Sequence, residues 1–111
     1  MKYICVPLSK EAKARLDYNE NIDGDLVEIN ISESDFFQLW DTGLFDSLNE
    51  KLDLMFDIGE DEEIKELNKM EKAKEIVGNY YKKYKDIILL GEIMDLIDVA
   101  IRNKTGIFFY F

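Results

Sequence analysis

Acidic side chains are concentrated in the middle of this chain, and their density limits how the chain can fold. The segment from Asp17 to Glu63 carries sixteen Asp and Glu residues against one basic residue, Lys51, a net charge of −15 over 47 residues. The flanks are mildly basic, so the whole chain carries −10. Any fold must spread these mutually repelling charges over its surface, and their field attracts a positively charged partner. The first prediction is therefore a protein that binds something basic.

The remaining composition predicts a folded chain rather than a disordered acidic tail. Of the 111 residues, 47% are apolar and 13% aromatic, and they are interleaved with the acids. We therefore predict a single domain over residues 1–111. The lone cysteine, Cys5, fits a reducing cytoplasm, and no apolar run reaches the roughly 20 residues of a membrane helix. A cytoplasmic protein without membrane contact is expected.

Hydrophobic spacing predicts an α+β fold, with a small sheet of about three strands covered by four or five helices. Residues 2–6, 26–31 and 107–111 are rich in β-branched and aromatic residues. Residues 26–31 alternate between apolar and polar, which predicts a half-buried strand near a sheet edge. Residues 107–111 are almost wholly apolar, which predicts a central strand buried on both faces.

Helical spacing accounts for most of the remaining chain. Residues 52–58 fit either a helix or a strand, and we favour a helix to about residue 55. The acids at 60–63 follow Gly59 and would suit the N-terminus of a helix, where the macrodipole favours negative charge. Ser9 and Asp86 are predicted to cap helices, and Gly43 to end one. The predicted helices cover 10–16 after Ser9, 36–40 before Gly43, 44 to about 55, 60 to about 85, and from Asp86 to about 102.

The sequence offers little for catalysis or metal binding. It contains no histidine, so Cys5 has no imidazole base and is predicted to be a small buried hydrophobe. Residues 19–30 imitate a calcium-binding loop around Gly24, but Asn19 and Asn30 stand where that loop needs Asp and a bidentate Glu. We predict a plain turn there, no enzyme activity, no metal and no cofactor.

Two stretches resemble patterns in small bacterial immunity proteins, which neutralise toxins in contact-dependent inhibition and other polymorphic-toxin systems. The first runs from Leu48 to Leu52 and on through Phe56–Ile64, and the second is the C-terminal Lys104–Phe111. The resemblance implies a cytoplasmic, non-enzymatic inhibitor of one cognate toxin domain. Such toxins are commonly nucleases with basic active-site surfaces, which an acidic inhibitor would match.

The expected function is therefore an immunity protein that occludes a basic toxin domain by charge complementarity, without contacting nucleic acid itself. Two alternatives stay open: an acidic nucleic-acid mimic of phage or plasmid type, and a non-enzymatic regulatory or adaptor domain. Trp40 is a candidate anchor. The acids predicted to bind the partner are Asp57, Glu60, Asp61, Glu62 and Glu63, followed by Asp35, Asp41 and Asp46.

Overall fold

A computed structural model describes residues 2–111 as four strands and five helices. The strands form one antiparallel sheet, in which the second strand along the chain pairs with the first, the first with the fourth, and the fourth with the third. The predicted α+β class is confirmed, with one strand more than expected. The elements are β1 (Lys2–Pro7), α1 (Lys10–Asp17), β2 (Leu26–Ile31), α2 (Glu33–Asp41), α3 (Leu44–Leu52), β3 (Asp61–Ile64), α4 (Leu67–Lys83), α5 (Ile88–Asn103) and β4 (Ile107–Tyr110).

The three predicted strands lie where the sequence placed them. β4 is central, between β1 and β3, and Ile107, Phe108 and Phe109 are buried, as expected of a strand covered on both faces. β2 is at a sheet edge, and it alternates as predicted. The cap of α1 is also confirmed, because the Ser9 hydroxyl accepts a hydrogen bond from the Ala12 N–H at 3.0 Å.

The helix predicted from residue 60 was wrong at its start. Asp61–Ile64 instead form β3, which pairs with β4, and α4 begins only at Leu67. Acids at a helix N-terminus contribute about 0.3–1 kcal/mol. A buried backbone group left without a partner costs about 1–3 kcal/mol, and without β3 one edge of the buried strand β4 would lose several partners. Pairing with β4 therefore outweighs the local helix signal.

Residues 53–58 are neither helix nor strand, so the helix favoured to residue 55 was too long. α3 ends at Leu52 because Asp53 adopts a left-handed conformation with φ 56°. The chain then turns back along α3, where the Asn49 side chain accepts from the Phe56 N–H at 2.6 Å and donates to the Phe56 carbonyl at 3.0 Å. The predicted Asp86 cap is also absent, since α5 begins after Ile87 without a side-chain cap.

The sheet has a core face and an outer face. α5 packs across β1 and β4 on the core face, α4 covers α5 and α3, and α2 joins α3 and α5. α1 lies on the outer face, where it buries Ala12, Cys5 and Phe108 outside the main hydrophobic cluster. The core face carries Ile4, Val6, Ile29, Ile107 and Phe109. The outer face carries the alternate residues Tyr3, Cys5, Glu28, Asn30, Phe108 and Tyr110.

Candidate partner-binding surface

Strand β3 divides the acidic run that the sequence singled out. Successive side chains of a strand point to opposite faces, so Asp61 and Glu63 lie on the outer face and Glu62 on the core face. The Glu62 carboxylate accepts a hydrogen bond from the Met55 N–H at 2.7 Å and so fastens the loop before β3. Asp57 and Glu60 are exposed in that loop. The five candidates between residues 57 and 63 therefore do not form one surface.

Two tyrosines stack on the outer face beside Asp61. The rings of Tyr3 and Tyr110, called the tyrosine pair below, have centroids 4.6 Å apart and planes 25° apart. Both residues are half-buried. Register places Asp61 beside Tyr110 in one cross-strand row, and Glu28 and Glu63 at the two ends of the adjacent row. Carboxylates from both edge strands therefore bracket the aromatic pair.

Burial and, to a smaller extent, the bracketing acids raise the pKa of both phenols. Burial raises the pKa of Tyr110, and the neighbouring Cys5, Tyr3, Asp61 and Glu63 raise it further. Burial likewise raises the pKa of Tyr3, with added effects from Cys5, Glu28 and Asp61. Both hydroxyls therefore stay protonated at neutral pH, and the pair presents neutral rings in a negative field.

A shallow cavity of about 300 Å³ opens between the end of α1 and strands β3 and β4. Its lining includes Asp17, Asp61, Glu63 and Tyr110. Asp17 is the last residue of α1, where the negative end of the helix dipole adds to its charge. Lys65 forms an ion pair with Glu63 at 3.0 Å. Glu63 and, more weakly, Asp17 raise the pKa of Lys65.

The other predicted acids lie on the core-face side of the sheet. Asp41 and Asp46 are exposed on either side of the turn between α2 and α3. Asp35 is in the first turn of α2 and lines a different cavity, of about 330 Å³, together with Asp86 and Glu92. The predicted binding residues are thus divided between two sides of the molecule.

Trp40 is half-buried against the aromatic part of the core. Its ring stacks on Phe36 and Phe45, with centroids 5.7 and 5.3 Å away. Phe45 in turn contacts Phe56 and Phe111 at 4.9 and 5.1 Å. These contacts give Trp40 a packing role, and its part in binding a partner stays a prediction.

Cys5 and the loop before β2 both serve the fold. Cys5 is fully buried, as predicted, and burial together with Glu28 raises the pKa of its thiol to about 12, so it is no nucleophile at neutral pH. In the calcium-like loop, the Asp25 carboxylate accepts two hydrogen bonds from the Arg15 guanidinium, at 2.6 and 2.7 Å. Within residues 2–111 no group of three potential ligands is arranged to hold a metal ion. None of the helices described is long and apolar enough to cross a membrane.

Sequence reasoning did not select the residues that complete the outer-face surface: Tyr3, Tyr110, Glu28 and Asp17. The alternation in residues 26–31 did predict Glu28 on the opposite face of the strand from Ile29, so half of the information needed was present in the sequence. The missing half is the register, because Tyr3 and Tyr110 are adjacent only after β1 pairs with β4.

Comparisons with protein-family models, with curated proteins and with solved structures each returned no match. The function is therefore inferred from the surface itself and from the resemblance in its sequence.

Proposed function

We propose that this chain is an immunity protein that binds and occludes a basic toxin domain, and the acidic charge of the chain favours a nuclease as that toxin. The observation that carries the proposal is the half-open outer face, where the tyrosine pair lies between carboxylates of both edge strands. Aromatic side chains surrounded by charged residues are typical of protein-binding surfaces. The resemblance of residues 48–64 and 104–111 to immunity proteins supports the same function.

Charge and aromatic contact have separate tasks in this mechanism. The acidic field accelerates encounter with a positively charged surface, and its effect is strongest at low ionic strength. The tyrosine pair then excludes water at the contact and slows dissociation. Covering the nucleic-acid-binding surface of a nuclease is sufficient for inhibition, so the inhibitor needs no chemistry of its own.

The gene next to this one provides the first test. A toxin C-terminal domain encoded directly upstream supports the proposal, whereas surrounding phage genes favour the nucleic-acid mimic. If the upstream domain is a toxin, co-expression with this chain should restore growth and co-purification should recover the complex. A toxin that neither binds the chain nor is neutralised by it rules the pairing out.

Association kinetics provide the decisive measurement. We expect the triple variant Glu60→Lys, Asp61→Lys, Glu63→Lys to bind the toxin about 10–100-fold more slowly at low salt, with most of the difference lost at high salt.

The matched control is Glu71→Lys, Glu75→Lys, Asp95→Lys, which makes the same charge change at exposed positions of α4 and α5. Stopped-flow mixing measures the rates, and circular dichroism checks folding. Equal slowing by both variants would show that net charge alone matters.

A further inference from the structure

We propose that the outer face binds an arginine side chain of the protein partner, with the guanidinium against the tyrosine pair and paired with Asp61. This inference rests on the proposed function and specifies which surface, and which partner residue, form the central contact. It follows from what covers the outer face, from the charges around the tyrosine pair, and from a cation that the fold already holds there.

Helix α1 covers only part of the outer face. It has eight residues, a length of about 12 Å. Beneath it Cys5 is 0% exposed and Phe108 5% exposed, whereas Tyr3 and Tyr110 are half-buried. The uncovered half therefore presents aromatic surface that no element of the described chain packs against fully.

The charges next to this surface are complementary to a cation. Asp17, Glu28, Asp61 and Glu63 surround it. Glu63 pairs with Lys65, but in the described part of the chain neither Asp61 nor Glu28 forms an ion pair. The ion pair of Lys65 with Glu63 shows that a cation is stable at the edge of this surface. The carboxylates of Asp61 and Glu28 remain available to pair with a second cation.

Arginine fits this arrangement better than lysine. Its planar guanidinium stacks on aromatic rings, is weakly hydrated and donates two parallel hydrogen bonds to a carboxylate. Stacking on the tyrosine pair leaves the edge of the guanidinium free for Asp61, which lies in the same cross-strand row as both rings. A lysine ammonium would gain the charge contact but no planar stacking.

A second acidic cavity on the same molecule provides an internal control. Asp35, Asp86 and Glu92 line it, and its lining contains no aromatic side chain. Thus one cavity is lined by acids without aromatic neighbours, and the other by acids next to aromatic rings. A cation attracted by charge alone would bind both places.

The test uses a blocked hexa-arginine peptide as the probe and a blocked hexalysine peptide for comparison. Amide chemical shifts of the full chain, recorded by two-dimensional NMR, should change most at Tyr3, Asp61 and Tyr110, with at least severalfold tighter binding of the arginine peptide. The double variant Glu28→Gln, Asp61→Asn should weaken that binding roughly tenfold, since the charge-assisted contact with Asp61 and the nearby charge of Glu28 are both lost. The control variant Asp86→Asn, Glu92→Gln, at two exposed acids of the second cavity, should leave it unchanged. These exposed isosteric changes keep the fold, and Tyr3→Phe, which retains the ring, should preserve binding.

Equal affinity for the two peptides, or equal shifts at the second acidic cavity, would overturn the inference. Failure of the proposed function gives a different result: the arginine peptide binds as expected, but no toxin domain is neutralised. Conversely, full neutralisation by Glu28→Gln, Asp61→Asn would retain the function and reject the arginine contact.

Discussion

At the scale of single residues, Asp25 holds one end of α1 to the start of β2. Its buried carboxylate accepts hydrogen bonds from Arg15, from the Ile22 N–H at 3.0 Å and from the Asn21 side chain at 3.1 Å. The Arg15 hydrogen bonds are the main reason that the pKa of Asp25 lies well below its usual range. A charged Asp25 therefore stabilises the folded state.

We predict that Asp25→Asn lowers the midpoint of thermal unfolding by several degrees at pH 7. Because the folded-state pKa is lowered, the stabilisation is complete above the unfolded pKa of about 3.9 and is lost as the pH falls through the folded value. The difference between the native chain and the variant should therefore shrink below about pH 4. Thermal melts at several pH values measure it. Asp23→Asn, an exposed acid of the same loop, is the control, and an equal loss there would contradict the assignment to Asp25.

Trp40 yields a second prediction at this scale. Because its ring stacks on both Phe36 and Phe45, Trp40→Ala should reduce the free energy of unfolding by about 2–3 kcal/mol, below the roughly 3–5 of a fully buried aromatic. Phe37→Ala, at a position 43% exposed on the same helix, should cost about 1 kcal/mol or less. Chemical denaturation compares the two. Similar costs would mean that Trp40 contributes little to the core.

At the scale of elements, the closeness of β3 to the start of β4 depends on Gly106. A Cβ at this position would lie 3.1 Å from the Ile64 carbonyl oxygen, which is backbone and has little freedom to move. Gly106→Ala should therefore push β3 away from β4 and cost about 1–3 kcal/mol. The prediction tests the strand itself, because a helix starting at residue 60 would not place Ile64 against Gly106.

Gly78 in α4 is the matched control for that change. Its added Cβ would meet the end of the flexible Met94 side chain, at 3.3 Å, rather than backbone. Alanine has a higher helix propensity than glycine by up to about 1 kcal/mol, so Gly78→Ala should be neutral or stabilising. Denaturant titration of both variants measures the contrast. If alanine is tolerated at both positions, β3 can move away from β4 without a loss of stability, which would contradict the prediction.

At the scale of the whole molecule, the clustered charge should make stability depend on salt. Raising sodium chloride from about 0.01 to about 0.15 M shortens the screening length from about 30 to about 8 Å and weakens repulsion among the acids. We predict a higher unfolding midpoint at the higher salt concentration. The Glu60→Lys, Asp61→Lys, Glu63→Lys variant, which changes the net charge from −10 to −4, should respond less. A midpoint that falls with salt would mean that local ion pairs such as Lys74–Asp98, 2.6 Å apart, dominate instead.

Local patterns in the sequence determined most of the elements. The Ser9 cap predicted α1, alternation predicted β2 at an edge, and the apolar run at 107–111 predicted a central strand. Helical spacing also predicted α5, which spans Ile88–Asn103. Each of these signals lies within a few residues of the element that it predicts, so a single sequence is enough to read it.

Tertiary structure alone decided β3 and the surface built on it. Residues 61–64 satisfy the local rules for a helix start, and they become a strand because β4, more than forty residues later, needs backbone partners. The same pairing turns Asp61 and Glu63 toward one face and Glu62 toward the other. It also brings Tyr110 and Asp61 together beside Tyr3. Register between distant strands leaves no trace in local spacing, so the acids could be predicted as a group but their division between two faces could not.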